Sequence, residues 1–211
     1  MSSPLSRRGF LQPLGGAGLA AALGACTSSS PGATFDLTAP RQGVRSGFSG
    51  GQLAIAEPVS IQALEAERII VKDPSGAVSF LGGGQWADRL PRLVQTRLVQ
   101  TFENSGVRAV ARSGDRIVAD YQITTDIRAF QVDAATREAV VEISARLIQD
   151  RTGRIVNARI FSARAPVASI DAPGAAQGLD QALSIVLADI VRWAGSGRSA
   201  PAPRQAAAPP T

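Results

Sequence analysis

Along this 211-residue chain apolar positions recur with two periods, and each change of period marks a new element. Gln52-Leu53-Ala54-Ile55-Ala56-Glu57 alternates and stops at Pro58, which predicts a strand. Arg68-Ile69-Ile70-Val71-Lys72 is a β-branched run closed by Asp73-Pro74-Ser75-Gly76, a turn signal, and Ala77-Val78-Ser79-Phe80-Leu81 answers it as the second arm of a hairpin. Gly82-Gly83-Gly84 reads as a flexible break before a helix. There Leu90, Leu93, Val94, Arg97, Leu98 and Phe102 fall at three- and four-residue steps, with Asp88 as N-cap, Pro91 in the first turn and Asn104-Ser105-Gly106 as the stop.

Period two then returns. Val107 to Ala111 is short; Ala119, Tyr121, Ile123, Thr125 and Ile127 share one face of a longer run, with Gln122, Thr124, Asp126 and Arg128 opposite. Val141-Ile143-Ala145-Leu147 alternates against Glu142-Ser144-Arg146, Asp150-Arg151-Thr152-Gly153 turns the chain, and Val156-Ala158-Ile160 comes back against Asn157 and Arg159. These three runs predict an antiparallel meander with one face on the core. A last helix carries Leu179, Leu183, Val186, Leu187, Ile190 and Ala194, beginning near Asp171-Ala172-Pro173-Gly174 and ending at Gly195. The expected fold is α+β, a mostly antiparallel sheet with two amphipathic helices packed on one face.

The two ends are built differently. Arg7-Arg8 without an acidic neighbour, an apolar stretch from about Pro13, and Leu23-Gly24-Ala25-Cys26 together form a lipoprotein signal peptide ending in a lipobox. Ser6-Arg7-Arg8-Gly9-Phe10-Leu11 also fits the twin-arginine export pattern. The apolar part is Gly/Ala-rich and too short for a bilayer span, which takes roughly 20 mostly apolar residues. Residues 1–25 are thus expected to be removed and Cys26 to carry lipid, two or more acyl chains giving stable anchoring. Thr27 rather than Asp after the cysteine favours sorting to the outer membrane. Residues 26–33 form a polar tether, 34–195 one domain, and 196–211 a Pro/Ala-rich tail whose composition buries no core.

Composition narrows the chemistry. Beyond the leader, 20 Lys+Arg face 17 Asp+Glu, a dispersed excess of three that is no nucleic-acid signature. The chain holds no His and one Cys, so imidazole-dependent triads are excluded and lipidation of Cys26 consumes the only thiol. No disulfide, cofactor or metal site is expected. Asp120, Asp126 and Glu142 are carboxylates that a glycosidase could use in pairs, but solvated strand faces account for them better. Gly82-Gly83-Gly84 lacks the flanking residues of a phosphate loop. No residue is assigned a catalytic role.

At Gln85-Trp86-Ala87-Asp88-Arg89-Leu90-Pro91-Arg92-Leu93-Val94 the sequence resembles the Trp-Ala-x-x-Leu approach to the first helix of the ABC-type transport auxiliary lipoproteins, the family of the paraquat-inducible-system lipoprotein. Thr34-Phe35-Asp36-Leu37 resembles the family's Tyr-x-Leu opening with Phe for Tyr, and Leu53-Ala54-Ile55-Ala56-Glu57-Pro58-Val59-Ser60 its first core strand and Pro-Val step. Arg68-Ile69-Ile70-Val71 resembles the next strand. The resemblance spans about residues 34 to 195. It implies a non-enzymatic, periplasm-facing accessory subunit, with a mammalian-cell-entry-domain protein and an ABC permease and ATPase as partners in lipid transport. Trp86 is then either a core or helix anchor or a partner contact. The other reading is a structural or envelope-assembly lipoprotein that binds peptidoglycan or an outer-membrane complex. Homo-oligomerisation is left open.

Overall fold

A computed structural model describes residues 32–41, 43–49 and 51–196. The leader residues Arg7, Arg8, Leu23, Gly24 and Ala25, the lipidation candidate Cys26 and the tail from residue 197 lie outside the described residues.

The meander forms as the alternation predicts. Strands β7 (Tyr121–Asp133), β8 (Glu138–Gln149) and β9 (Arg154–Pro166) pair antiparallel in sequence order. On β7, Ile123, Thr125 and Ile127 point inward, and a bulge at Arg128 switches the inward set to Phe130 and Val132. On β8 the odd residues Ala139 to Leu147 are all fully buried.

The rest of the sheet departs from expectation. It is mixed, not mostly antiparallel. Three short strands lie in succession along the other edge of β7, all parallel to it: β2 (Leu53–Ile55) beside Tyr121–Ile123, β3 (Val59–Ser60) beside Asp126–Ile127, and β4 (Arg68–Lys72) beside Val132–Asp133. Strand β6 (Val110–Arg112) is parallel to β2. The cause is helix α1 (Leu90–Asn104), which lies between these strands and their partners and returns the chain to its starting end, as a parallel pairing requires. Only sequence neighbours pair antiparallel: β4 with β5 (Val78–Trp86), and the meander.

Two local readings are corrected as well. Gly82-Gly83-Gly84 is not a break; it lies inside β5, where Gly83 takes φ 83°. A Cβ on Gly84 would stand 2.5 Å from the Phe35 ring and 2.7 Å from Ala172 Cβ, so only glycine admits that packing. In β9 the expected inward set Val156, Ala158 and Ile160 is exposed, while Phe161 and Ala165 are buried. Val156 is the extra residue of a bulge, since Ile155 pairs with Ile148 but Asn157 with Leu147, and one inserted residue exchanges the two faces.

Helix α2 (Ala172–Ser196) packs on β8, β9 and β5, and α1 packs on β2, β6 and α2. Both helices and the inward strand residues form a single hydrophobic cluster. Asp88 does not cap α1: Arg89 takes the N-cap position, and the Asp88 carboxylate accepts the Arg89 N–H and forms an ion pair with Arg92 at 3.7 Å. At α2 the expected start holds, with Asp171 Oδ1 accepting the Gly174 N–H at 2.8 Å.

Candidate functional site

The segment before the first core strand does more than connect. Strand β1 (Ala33–Phe35) pairs parallel with β5 through Ala33↔Gly84, Thr34↔Gln85 and Phe35↔Trp86. Beyond it, residues 36–41 and 43–48 run as a strap across both helices. Asp36 forms an ion pair with Arg97 on α1, whose side chain is only 15 % exposed. Leu37 is buried. Thr38 donates its N–H to Asp180 Oδ1 at 2.6 Å and its hydroxyl to Asp180 Oδ2 at 2.8 Å, both on α2. Asn104, at the end of α1, donates to the Pro40 carbonyl at 3.0 Å.

The strap then returns to α2. Ser46 Oγ donates to the Val191 carbonyl at 3.3 Å, and Phe48 is buried with its ring edge-on to Tyr121 at 5.8 Å. Between them Gly47 lies backbone to backbone against Gly195. Burying Leu37 and Phe48 stabilises the strap by about 1.5–3 kcal/mol each, while its exposed polar contacts add less because water screens them. The chain that enters at β1 is therefore fastened to the sheet, both helices and the core before it reaches β2. That is a mechanical property: a pull on the N-terminal side is carried by the whole domain.

Trp86 closes β5 at the foot of this construction. Trp86 is 1 % exposed, its ring meets Phe130 edge-on at 5.8 Å, and its backbone N–H donates to the Glu67 carbonyl at 2.7 Å. Ala87 N–H reaches back to the Phe35 carbonyl at 2.8 Å, tying β1 to the approach of α1. Beside it Arg89 bridges Glu57 at 3.2 Å and Glu65 at 2.6 Å, and the Glu65 hydrogen bond raises the guanidinium pKa above its ordinary value.

The three carboxylates do not meet. Asp120 precedes β7 and accepts the Gln52 N–H at 2.8 Å; Asp126 is placed opposite Ser144; Glu142 forms an ion pair with Arg128 at 2.7 Å. Six residues of strand separate Asp120 from Asp126, roughly 20 Å. Among the described residues no group of three Asp, Glu, His or Cys converges as a metal site, and no helix is long and apolar enough to cross a membrane. Two carboxyls are held below their ordinary range: Asp171 by the Gly174 N–H and the Ser169 hydroxyl, and Asp73 chiefly by the Ser75 hydroxyl. Both order turns at the ends of elements.

Sequence reasoning passed over the strap. Its signal was two isolated large apolar residues, Leu37 and Phe48, in a stretch otherwise rich in Gly, Arg and Ser, without the period that marks an element. The Asp180 partner was invisible because a helix-face carboxylate carries no mark of what lies across it.

Comparison with known proteins agrees with this architecture. The model of the ABC-type transport auxiliary lipoprotein component matches residues 35–191. An uncharacterized protein of Bradyrhizobium diazoefficiens is 34 % identical over 167 residues, which is 76 % of this chain and 44 % of that protein, so the chain spans less than half of that relative's length. The crystal structure of protein XCC0632 from Xanthomonas campestris, of family DUF330, superposes with a TM-score of 0.70 at 27 % identity, covering 80 % of this chain and 96 % of that one. The hypothetical protein CT253 from Chlamydia trachomatis shares the fold at a TM-score of 0.51 and 11 % identity, over 72 % of this chain and 100 % of that one.

Proposed function

The chain belongs to the ABC-type transport auxiliary lipoprotein family, and from this premise we propose that it is a non-enzymatic, lipid-anchored component of a transporter that moves lipid between the envelope membranes. In this reading Arg7, Arg8 and Leu23-Gly24-Ala25 direct export and processing, and Cys26 carries the acyl chains. A diacylglyceryl thioether supplies about 0.8 kcal/mol per buried methylene, enough with two chains to hold the domain at a membrane. Thr27 at the following position supports the outer membrane as that surface. The partner is a mammalian-cell-entry-domain protein working with the ABC permease and ATPase.

The observation that carries this reading is the strap. A domain whose described residues hold no convergent metal-ligand cluster fastens its incoming chain to both helices through Asp36 and Thr38. This suits a subunit that holds an assembly at a fixed place, since an anchored adaptor must transmit position, whereas an enzyme must assemble reacting groups. The test is affinity purification from membranes solubilised in mild detergent, with the tag after residue 211. The mammalian-cell-entry-domain protein should be recovered with the wild-type chain and not with Cys26→Ser. Recovery of neither that protein nor a permease with the wild type overturns the assignment of partner.

A further inference from the structure

One end of the sheet carries an unusual surface. The β6–β7 loop places Ile117 and Val118 in solvent, Val118 at 88 % exposure. Val118 and Arg151 line the same shallow depression, and Asp150 N–H donates to the Asp120 carbonyl at 3.0 Å, so this loop and the β8–β9 turn form one tip. Adjacent on β9, Ile155 pairs with Ile148, and Ile155 and Val156 are exposed in turn. Arg116 and Arg154 directly precede Ile117 and Ile155, Arg151 shares the depression with Val118, and Arg146 lies two residues before Ile148 on β8; among the described residues none of these four forms an ion pair. The acids of the tip are fewer: Asp115 and Asp120, both accepting backbone N–H groups, and Asp150.

The tip also has a direction. β1 runs with β5, hence against β4 and β7, and so the chain comes into the sheet from the Asp133 end. β7 is 13 residues long, about 40 Å of strand. The aliphatic tip is at its far end, away from the tethered side.

We propose that this tip engages the surface of an anionic lipid bilayer, with Ile117, Val118, Ile155 and Val156 entering the interfacial region and the unpaired arginines meeting lipid phosphates. An exposed aliphatic tip edged by guanidinium groups free of ion pairs matches a soft anionic surface, in which each basic residue adds attraction that fades within a Debye length. A protein interface would instead be enriched in aromatic anchors, and the four exposed residues of the tip are all aliphatic. The inference goes beyond the transporter reading and does not depend on which partner that reading names.

The test uses the full chain carrying Val118→Trp, mixed with vesicles of phosphatidylcholine alone or with about a third phosphatidylglycerol. Trp86 and Trp193 are buried and give a constant background. The expected result is a blue shift and quenching by brominated lipid with the anionic vesicles only, lost at about 0.5 M salt and weakened at least roughly tenfold in R151E/R154E, two surface changes away from the core. Equal emission in both vesicle types overturns the proposal. So does a blue shift that grows with protein concentration in the absence of vesicles, which would mean that a second copy covers the tip. Flotation on phosphatidylcholine vesicles reads the N-terminal anchor separately, so failure of anchoring and failure of the tip are told apart.

Discussion

Gly195 lies in the last turn of α2, where exchange for alanine ordinarily strengthens a helix by up to about 1 kcal/mol. The strap reverses that sign. A Cβ built on Gly195 stands 2.2 Å from both Cα and C of Gly47 and 2.5 Å from its N, against an optimum near 3.5–4.0 Å for carbon pairs. Every obstacle is backbone, so no side chain can swing aside. The strap must retreat by more than about 1 Å, which draws on the Ser46–Val191 hydrogen bond and on Phe48, whose burial contributes roughly 2–3 kcal/mol. Losing nearly all of that, less the helix gain, leaves Gly195→Ala destabilised by about 1–2 kcal/mol. Urea unfolding should show the midpoint falling by about 0.5–1 M at unchanged slope. The reciprocal change, Gly47→Ala, meets Gly195 only at 3.3 Å and should shift the midpoint far less. A raised midpoint for Gly195→Ala would refute the reasoning, because helix propensity would then act with no strap against it.

Three further outcomes follow from the packing. Trp86→Ala removes a 1 % exposed indole and should cost about 3–5 kcal/mol, lowering the thermal midpoint by roughly 10 °C; a shift of only a degree or two contradicts its place in the core. Gly84→Ala brings its Cβ against Phe35 and Ala172 and should loosen β1, seen as faster amide exchange at the β1–β5 ladder while β8 stays protected. The Gly174 N–H and Ser169 hydroxyl hold the folded pKa of Asp171 below the ordinary aspartate value, so its contribution to stability is present above that ordinary value and is lost as the pH falls through the lower folded one. Asp171→Asn should therefore flatten the acid limb of a stability–pH curve, and an unchanged limb would show that the Gly174 and Ser169 contacts do not bias folding.

What could be read without coordinates was governed by how local each cause is. The meander and both helices are written in alternation and three-to-four spacing because burial on one face acts on every second or every third and fourth residue, as at Val141 to Leu147 and Leu179 to Ala194. Pairing direction is not local. Leu53-Ala54-Ile55 looks the same beside a parallel or an antiparallel neighbour, and only the course of α1 decides. Bulges hide in the same way: Arg128 and Val156 each exchange the two faces of a strand with no residue type that announces it. The triple glycine misled because its reason is a neighbour 49 residues earlier, the Phe35 ring against Gly84. The strap was not legible, since its partners Asp180 and Gly195 lie more than 140 residues away.

The central claim is that this strapped domain is a membrane-held adaptor of a lipid transporter, and co-purification tests it most directly. Quantitative mass spectrometry should compare mild-detergent eluates of the C-terminally tagged wild type with those of Cys26→Ser. The account predicts a mammalian-cell-entry-domain protein and its permease enriched at least about tenfold with the wild type, roughly 1.4 kcal/mol of apparent binding. Equal recovery from both chains, or recovery of neither protein, would contradict it.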